Sequence, residues 1–516
     1  MGAPPANELH DGLTTVTRGT ILVIVSTLCL VLFNFLSRVL LVDNPASDWN
    51  SFSYVLALTG MVSAVGTLGL PNAVARGLPY APTDAERRTI VRSSLAITVG
   101  AAAVIAVGLW AAGPFFARSL HVAHLAIGLE FFGVATAASI VAGLLAAVFQ
   151  GYADVVPNAL FVQVLNPGLF LAFLGVAILW PSVGLTYSTA LLAYVLASVV
   201  TLAALVGYAL RQLPRRLPSG PGAPGAEGRL LRFAAPLFVA GAFLSVSGYG
   251  DTFILGLYAP LAVGNYTASL ILARLIAIGI NAAAFIFLPV ATGFLRRENP
   301  RAIQLTYATV TKWLILLSMP LFLLFVFLPA RSLQFVYAGH YPPVVLPLQI
   351  TVAGAFGATV LGPGATAQIA FGRVRLLAIN SAAAGIADVT IALALVPSHG
   401  AVGAAIAWSS STLLYAALCL IELALLDRVH PFGRDFLLPL GLTAVPCAAV
   451  LLLLRDRVPE WTLPPIGLAA AGLFVVWVIA TRSVDEGERL LLGAVERILG
   501  RKVPFVRRLG RWSRAR

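Results

Sequence analysis

Charge is scarce in this chain: Asp, Glu, Lys and Arg together make up 11% of its 516 residues. An average soluble domain carries about 25% charged residues, so this composition cannot cover a soluble surface. The polar stretches reach roughly 20–30 residues, which is too short for an independent soluble core. The composition therefore excludes a soluble enzyme and predicts a membrane protein.

Catalytic and nucleotide-binding motifs are also missing. The sequence has no Asp-x-Asp pair and no Gly-x-x-x-x-Gly-Lys-Ser/Thr loop, which disfavours metal-dependent sugar transfer and ATP hydrolysis. The three cysteines lie in apolar runs without the spacing of a disulfide framework or a metal site. We therefore predict that the protein is not an enzyme. A membrane-embedded sugar polymerase or glycosyltransferase stays as an alternative, although the longer loops at 113–123 and 330–343 contain no acidic residue.

Long apolar runs, by contrast, repeat from residue 19 to residue 480, and the mean hydropathy is +0.92. A helix needs about 20 apolar residues to cross the hydrocarbon layer. The strand-like alternation of a barrel does not occur in the sequence. We predict an all-α polytopic membrane protein with about fourteen transmembrane helices.

The order of polar and apolar runs predicts six regions. They are an N-terminal segment at 1–16, a lobe of helices 1–6 at 17–210, a linker at 211–232, a lobe of helices 7–12 at 233–426, helices 13–14 within 435–481, and a basic amphipathic tail at 482–516.

Arginines are distributed very unevenly between the two sides of the predicted bundle. Seventeen lie in the loops of one side, whereas the other side has Arg118, Arg331, Arg455 and Arg457. Cytoplasmic loops are enriched in basic residues, so we place both termini in the cytoplasm and the protein in the plasma (inner) membrane. The net charge of +13 is thus explained by topology and contact with anionic lipids, and we expect no nucleic-acid partner.

Two short matches indicate an internal repeat. Pro181–Gly184, before helix 6, recurs as Pro397–Gly400 before helix 12, an offset of 216 residues. Gln150–Tyr152 after helix 4 pairs more loosely with Phe371–Arg373 after helix 10. Because each copy holds six helices, both copies must have the same orientation. This predicts two pseudo-symmetric lobes related by an axis along the membrane normal, with a site between them.

Arg274 lies near the middle of a long apolar run. A cation at the bilayer centre costs at least about 2.5–3.5 kcal/mol, so it usually faces a protein interior or a water-filled cavity. Thr267 and Asn281 lie seven residues before and after it, which puts all three on one helical face. We predict that this face lines a central cavity, where the guanidinium group would clamp a lipid diphosphate.

Helix 1 carries a similar polar face, on which Asn34 and Arg38 are candidates for binding substrate. Arg38 lies about five residues from Asp43 at the predicted outer end, so its side chain can instead extend to the membrane surface. Both interpretations remain open from the sequence.

Three acidic residues, Asp388, Asp251 and Glu130, lie inside predicted helices. Asp388 is deep in helix 11, where a buried carboxylate can take up H⁺ or Na⁺ and couple transport to an ion gradient. It can instead neutralise Arg274, which would then form a structural ion pair with Asp388 or Asp251. Asp251 and Glu130 lie nearer the outer side and are candidates for a gate.

Two proline–glycine pairs interrupt predicted helices. Pro167 and Gly168 fall midway along helix 5, and Pro363 and Gly364 fall within helix 10. Proline removes a backbone donor and permits bending, so both pairs are hinge candidates.

Three stretches carry a resemblance to a known family. Gly400–Trp408 is similar to its Gly-x-x-Gly-Ala-Ala-x-Ala segment, Asp251–Gly256 with Ala262–Tyr266 is similar to its helix 7–8 hairpin, and Trp49–Tyr54 with Leu68–Ala73 is similar to its helix 2 pattern. The sequence resembles the polysaccharide and oligosaccharide flippase branch of the multidrug, oligosaccharidyl-lipid and polysaccharide (MOP) exporter superfamily.

The resemblance covers about residues 15–480 and implies a V-shaped pair of six-helix lobes around a central cavity, with helices 13–14 appended. It also implies a flippase that moves a polyprenyl-diphosphate-linked oligosaccharide across the membrane by alternating access, for cell-surface polysaccharide assembly. Members often place basic residues in the cavity from helices 1 and 8, where this chain has Arg38 and Arg274.

Two transporters of the same architecture remain alternatives: a flippase for a lipid-linked peptidoglycan precursor, and a cation-coupled drug antiporter. The antiporter needs an acidic, aromatic cavity, which Arg274 disfavours. We expect a lipid-linked glycan, membrane lipids and other polysaccharide-assembly proteins as partners. We expect no cofactor besides H⁺ or Na⁺ as a coupling ion, and a monomer.

Overall fold

A computed structural model describes residues 6–44, 48–120, 124–152, 154–180, 184–217, 220, 222–223, 225–295, 300–337 and 344–432, with ten further positions between 448 and 472. Within these ranges all regular structure is helical, which confirms the predicted all-α fold. Most of predicted helices 13–14 and the whole basic tail lie outside the described residues.

The N-terminal lobe is formed by α1 (Ala6–Asp43), α2 (Trp49–Gly66), α3 (Leu70–Tyr80), α4 (Asp84–Leu120), α5 (Leu125–Gly151), a π-helical segment (Asn158–Leu165), α6 (Asn166–Leu179) and α7 (Tyr187–Arg216). The C-terminal lobe is formed by α8 (Ala226–Tyr258), a 3₁₀ turn (Pro260–Ala262), α9 (Val263–Leu295), α10 (Pro300–Phe327), α11 (Pro329–Val336), α12 (Val345–Leu361), α13 (Gly364–Ala370), α14 (Val374–His399) and α15 (Ala401–Leu426).

Eleven helical segments in the described part of the chain are long and apolar enough to cross a membrane, so the protein is a multi-pass membrane protein. Two boundaries differ from the sequence prediction. The first helix begins at Ala6, inside the segment expected at 1–16, and α11 occupies part of the stretch expected to be a loop at 330–343.

Predicted helix 2 is broken into α2 and α3. Leu68 and Gly69 have φ angles of 51° and 67°, and this left-handed backbone ends one helix before the next begins. Only glycine fits at position 69, because a Cβ atom there would lie 2.6 Å from the backbone nitrogen of Phe238 on α8. The positive φ favours glycine as well. The break therefore lets the two lobes approach closely at this level.

Predicted helix 10 is also broken, at the site of the hinge candidates Pro363 and Gly364. α12 ends before Gly362, which has a φ of +83°. The carbonyl of Leu361 accepts a hydrogen bond of 2.8 Å from the hydroxyl of Tyr307. This contact satisfies a backbone group at the break, as a buried helix end requires. Hinge motion here stays a prediction.

Predicted helix 5 changes its winding just before Pro167 and Gly168. The backbone N–H of Asn166 bonds to the carbonyl of Phe161, five residues earlier, so the segment that precedes the proline is a π-helix. Proline cannot donate to the regular ladder, and π-turns are frequent at functional sites. Bending at this point likewise stays a prediction.

The repeat motif has a matching backbone feature in both lobes. Gly184 precedes α7 with a φ of +64°, and Gly400 precedes α15 with a φ of +51°. Both glycines therefore adopt the left-handed conformation that other residues rarely take.

Each lobe also has an ion pair at the same end of the bundle. Arg216 at the end of α7 lies 2.6 Å from Asp154 in the loop after α5. Arg373, in the loop after α13, lies 2.7 Å from Asp427 at the end of α15. The two pairs occupy corresponding places in the repeat with their charges exchanged. We call the end of the bundle that carries them the basic end.

Candidate functional site

A cavity lies between the two lobes, in the half of the bundle nearer to the α1–α2 and α8–α9 connections. The space at this site that no protein atom occupies is about 360 Å³, including the solvent at its open side. Its lining residues are Arg38, Trp49, Ser53, Leu56, Ala57, Tyr249, Thr252, Thr267, Leu270, Ile271 and Arg274. None of them is acidic, and α1, α2, α8 and α9 all contribute, so this inter-lobe cavity is cationic.

Arg274 projects from α9 into this cavity and is half-buried. Its Nη2 atom donates to the carbonyl of Gly248 at 3.2 Å, and its guanidinium carbon lies 5.8 Å from the ring centre of Tyr249. A backbone carbonyl and an aromatic face orient a guanidinium group without neutralising its charge. Arg274 is therefore held in place with its charge available.

Arg38 reaches the same cavity from α1, so its side chain does not extend to the membrane surface as one interpretation allowed. The two guanidinium groups are close enough to interact electrostatically. Neither Arg38 nor Arg274 forms a salt bridge with any residue that the structure describes. Two like charges facing one space repel each other, and an anion placed between them relieves that repulsion.

Contacts between the lobes border the cavity. The indole N–H of Trp49 on α2 donates to the carbonyl of Gly264 on α9 at 3.1 Å, and the N–H of Gly264 donates to Asn50 Oδ1 at 2.6 Å. Nearby, the ring of Tyr54 stacks on Phe253 with centroids 6.3 Å apart. These contacts join α2 to α8 and α9 across the interface.

The buried carboxylate of Asp251 lies behind the cavity wall, in the C-terminal lobe. It is 0% exposed and accepts a hydrogen bond from the hydroxyl of Tyr266, which is also fully buried. Thr252, its neighbour on α8, lines the cavity. Asp251 itself is not among the lining residues.

Asp388 lies beside Asp251 and is also 0% exposed. Its Oδ2 accepts from the backbone N–H of Asp251 at 3.1 Å, and its Oδ1 accepts from Ser411 Oγ at 3.2 Å. The structure thus joins α8, α9, α14 and α15 through one buried network of oxygen atoms. We call Asp251, Tyr266, Asp388 and Ser411 the carboxylate network.

The network decides one of the alternatives left open by the sequence. Arg274 attracts Asp251 electrostatically but forms no salt bridge with it or with Asp388 among the described contacts. The alternative of a structural ion pair therefore has no support among the described contacts. Asp388 instead accepts hydrogen bonds from the backbone N–H of Asp251 and from Ser411, and Asp251 accepts one from Tyr266.

The other predicted site residues are more scattered. Thr267 lines the cavity, but its hydroxyl bonds back to the carbonyl of Val263 at 2.8 Å. Asn34 donates to the carbonyl of Leu30 on its own helix at 2.8 Å and is not among the lining residues. Glu130 is half-buried on α5, away from the cavity lining. The side chain of Asn281 lies outside the described residues.

Sequence reasoning missed four participants. Tyr266 and Ser411 complete the carboxylate network, and Trp49 and Tyr249 furnish the cavity with aromatic surface. Trp49 and Tyr266 lie inside the motifs noted above, so a signal existed for them. Ser411 and Tyr249 had none, because a single hydroxyl residue in an apolar helix is common.

The network has the composition of a site for a proton or a small monovalent cation. Two carboxylates and two hydroxyl groups supply oxygen ligands, which hard cations prefer. The described residues contain no group of three acidic, histidine or cysteine side chains that would suit a transition metal.

Residues 16–295 match the family described as polysaccharide biosynthesis protein, and this stretch is more than half of the chain. The chain belongs to this family. It is a family of the MOP superfamily, and the resemblance noted in the sequence is thereby confirmed. No curated protein sequence matches the chain.

Solved structures share the fold of this family member at low sequence identity. A structure of "Lipid II flippase MurJ, inward closed conformation" aligns with a TM-score of 0.69 at 13% identity, covering 90% of this chain and 99% of that one. An inward-facing multidrug resistance MATE transporter of the MOP superfamily aligns with a TM-score of 0.62 at 15% identity, covering 77% and 94%.

A MOP transporter from Pyrococcus furiosus, described as having a binding pocket of reverse polarity, aligns with a TM-score of 0.56 at 15% identity, covering 81% of this chain and 96% of that one. These likenesses establish the MOP transporter fold, and the cavity described above lies between its two lobes.

Proposed function

We propose that this protein is a flippase for a polyprenyl-diphosphate-linked oligosaccharide, which it moves across the plasma membrane by alternating access. The single observation that supports this most is the pair of arginines, Arg38 and Arg274, which face one inter-lobe cavity without an acidic lining residue. A diphosphate group would supply the negative charge that the cavity lining does not offer to these two arginines.

The chemistry of the cavity suits such a head group in two ways. Guanidinium groups bind phosphate oxygens through paired hydrogen bonds, and they do so most strongly where water is excluded. Trp49 and Tyr249 add aromatic surface beside the arginines. Aromatic faces of this kind pack against sugar rings and apolar chains. The head group and the start of the lipid therefore both find complementary surface.

We further propose that the carboxylate network couples transport to an H⁺ or Na⁺ gradient. Ionisable groups inside a membrane protein are costly and mark ion pathways by default. Asp251 lies next to the cavity-lining Thr252 and shares a helix with Tyr249. A change of charge at the network therefore acts directly on the wall of the cavity.

The alternative of a lipid-linked peptidoglycan precursor flippase is favoured by one observation, the fold similarity to the lipid II flippase over nearly its whole length. Both candidate substrates carry a diphosphate, so the arginine pair serves either. A drug or organic-cation antiporter is disfavoured because the cavity lining holds two cations and no acid. The oligosaccharide assignment rests on the polysaccharide biosynthesis family.

Orientation follows from the distribution of arginines. With the basic end in the cytoplasm, both termini are cytoplasmic and the cavity lies in the outer half of the membrane. The lipid-linked glycan, membrane lipids and other polysaccharide-assembly proteins are the partners we propose, for a monomeric transporter.

Translocation in proteoliposomes tests this function. A fluorescent polyprenyl-diphosphate oligosaccharide is compared with a lipid-linked peptidoglycan precursor, using wild type, Arg274→Ala and Arg274→Lys. We expect wild type to move the oligosaccharide and Arg274→Ala to be inactive at normal protein levels. Arg274→Lys should be intermediate, because lysine keeps the positive charge but lacks the paired N–H donors of a guanidinium group.

Preferential transport of the peptidoglycan precursor would select the alternative flippase. Failure with both lipids, together with cation-driven efflux of an organic cation, would replace the proposal by the antiporter. Full activity of a well-expressed Arg274→Ala would remove the diphosphate clamp.

A further inference from the structure

A second buried polar cluster lies in the C-terminal lobe, closer to the basic end than the carboxylate network. It is formed by Gln368 on α13, Asn380 on α14, and Cys419 and Glu422 on α15. Gln368, Asn380 and Cys419 are each at most 1% exposed, whereas Glu422 is half-buried. Apolar side chains would pack these three helices equally well, and polar side chains buried in a membrane protein usually have a functional role.

One carboxylate oxygen organises this cluster. Glu422 Oε2 accepts from Asn380 Nδ2 at 2.8 Å and also from Gln368 Nε2. The sulfur of Cys419 lies 3.6 Å from the same Asn380 amide and 3.7 Å from Gln368 Oε1. Glu422 does not simply extend to the membrane surface, as its position near the helix end would allow. It is held inward by two amides from two other helices.

The broken helix makes this arrangement possible. α13 begins at Gly364, where a Cβ atom would lie only 3.0 Å from the Cβ of Cys419. The missing side chain lets α13 pack directly on α15 and brings Gln368, one turn further on, to Glu422. The break after Gly362 therefore positions an amide inside the lobe.

Polar side chains continue from this cluster towards the carboxylate network. On α15, Ser411, Tyr415, Cys419 and Glu422 are spaced by four, four and three residues, which places them on one helical face. On α14, the fully buried Ser381 lies seven residues from Asp388 on a common face. The eight residues between Ser411 and Cys419 correspond to about 12 Å along the helix.

We propose that this α14–α15 seam is the route by which the coupling cation is exchanged between Asp388 and the basic end, with Glu422 as its entry carboxylate. The proposal rests on the coupling role proposed for the carboxylate network. Ser411 bonds to Asp388 at one end of the seam, and Glu422 reaches the partly exposed surface at the other. Hydroxyl, thiol and amide groups offer ligands in between.

Glu422 is the only carboxylate in the cluster of Gln368, Asn380, Cys419 and Glu422. Cys419, on the same helix, interacts electrostatically with Glu422. Tyr415 and, on α10, Tyr307 interact with Cys419 in turn. At the end of α15, Asp427 is paired with Arg373 through its Oδ1 at 2.7 Å, while its Oδ2 is buried without a hydrogen-bond donor. Glu422 is the only carboxylate among the four α15 residues of the seam, so a cation that enters the seam from the basic end meets Glu422 first.

Stopped-flow tryptophan fluorescence of the full-length protein tests the route. Trp408 is a local reporter, because its backbone carbonyl accepts from Ser411 at 2.9 Å, and Trp408→Phe identifies its share of the signal. Na⁺ jumps and pH jumps are applied to wild type, Glu422→Gln, Glu422→Asp, Asp388→Asn and Asp427→Asn. Asp427→Asn is the matched control, since it removes a carboxylate from the same end of α15 outside the seam.

We expect Glu422→Gln to slow the response about tenfold, the factor for a barrier raised by roughly 1.4 kcal/mol, with its amplitude and half-saturating cation concentration unchanged. Glu422→Asp should recover part of the rate, which also covers the case in which Glu422→Gln fails to fold. Asp427→Asn should respond at the wild-type rate.

A purely structural role for Glu422 would change stability or amplitude and leave the rate alone, and that result would overturn the route. If Asp388→Asn abolishes the response while both Glu422 variants keep the wild-type rate, the route is wrong and the coupling proposal stands. If Asp388→Asn responds normally, the coupling proposal itself fails.

Discussion

The two lobes share a helical repeat but differ in what fills their interiors. Tyr194 and Phe170 in the N-terminal lobe precede Ser411 and Asp388 in the C-terminal lobe by 217 and 218 residues, close to the repeat offset of 216. At roughly corresponding heights, one lobe thus has aromatic rings and the other has a serine and an aspartate. The two lobes therefore differ in the chemistry of their interiors.

The aromatic centre of the N-terminal lobe is tightly packed. Phe132 stacks on Tyr194 with centroids 4.5 Å apart, Phe52 meets Phe132 edge-on at 5.4 Å, and Phe170 meets Tyr194 edge-on at 5.2 Å. Such pairs contribute about 0.5–1.5 kcal/mol each beyond their burial. This part of the N-terminal lobe is therefore packed by aromatic rings, whereas the interior of the C-terminal lobe holds the buried carboxylates Asp251 and Asp388.

Asp388→Asn should have the largest effect of the variants that test this difference between the lobes. If the C-terminal lobe alone senses the coupling cation, this variant should lose all dependence of transport on an H⁺ or Na⁺ gradient, because the amide can no longer change its charge. Transport in proteoliposomes with and without an imposed gradient measures the effect.

The matched control is Asp154→Asn, which removes a carboxylate from the N-terminal lobe and should leave gradient dependence intact. Gradient dependence that survived Asp388→Asn but vanished with Asp154→Asn would reverse the comparison.

Phe132→Ala should be the most destabilising change in the N-terminal lobe. Phe132 is 0% exposed, and truncating such a side chain typically costs about 3–5 kcal/mol in the free energy of unfolding. Thermal unfolding in detergent measures the loss, and Phe115→Ala serves as the control because Phe115 is 67% exposed. Any folded fraction of Phe132→Ala should keep the wild-type half-saturating cation concentration; an altered value would mean that the aromatic lobe takes part in coupling.

Tyr266→Phe should change cation binding with little change in packing. The variant removes the hydroxyl that donates to Asp251 and leaves the ring. A hydrogen bond to a charged group contributes about 1.5–3 kcal/mol, so we expect a shift of at least about tenfold in the half-saturating cation concentration.

Tyr337→Phe is the control for this experiment, since Tyr337 is equally buried and its hydroxyl donates to the carbonyl of Ala268 at 2.9 Å. Equal shifts in both variants would show that any lost tyrosine hydroxyl has this effect.

The smallest effects should come from the ion pairs that close the two lobes at the basic end. Arg216→Ala and Arg373→Ala each remove one partner of a partly exposed pair, and such pairs typically contribute about 0.2–1 kcal/mol to stability. Arg216 also lies 5.5 Å from the ring centre of Phe149, so its loss should be the larger. Thermal unfolding of both variants compares them, and a clearly larger loss at Arg373 would contradict the assigned contacts.

Much of the fold was predictable because membrane helices can be recognised in a sequence by their length and hydropathy. Every described span corresponds to a predicted helix, and the repeat follows from Gly184 and Gly400. The breaks were less predictable. Leu68 takes a left-handed conformation that its residue type does not favour, and it directly precedes Gly69, which packs closely on α8.

The candidate site was only partly predictable. Arg274 was found because a cation is conspicuous in an apolar helix, but its partners depend on how helices pack. Whether Asp388 lies beside Arg274 or Asp251 is set by the rotation of α14 against α8, which no local pattern reveals. The role of Glu422 was hidden for the same reason, since its two amide donors come from other helices.

The proposed function requires that Arg38 and Arg274 together bind a diphosphate between the lobes. Calorimetric titration of the purified protein with farnesyl diphosphate and with farnesol, for wild type and the Arg38→Ala/Arg274→Ala double variant, tests it most directly. We predict binding of the diphosphate by wild type, with a loss of roughly 10- to 100-fold in affinity for each arginine removed, as a charged hydrogen bond of about 1.5–3 kcal/mol requires. Equal affinities for the diphosphate and the alcohol, or an unchanged affinity in the double variant, would show that the arginine pair does not bind the diphosphate.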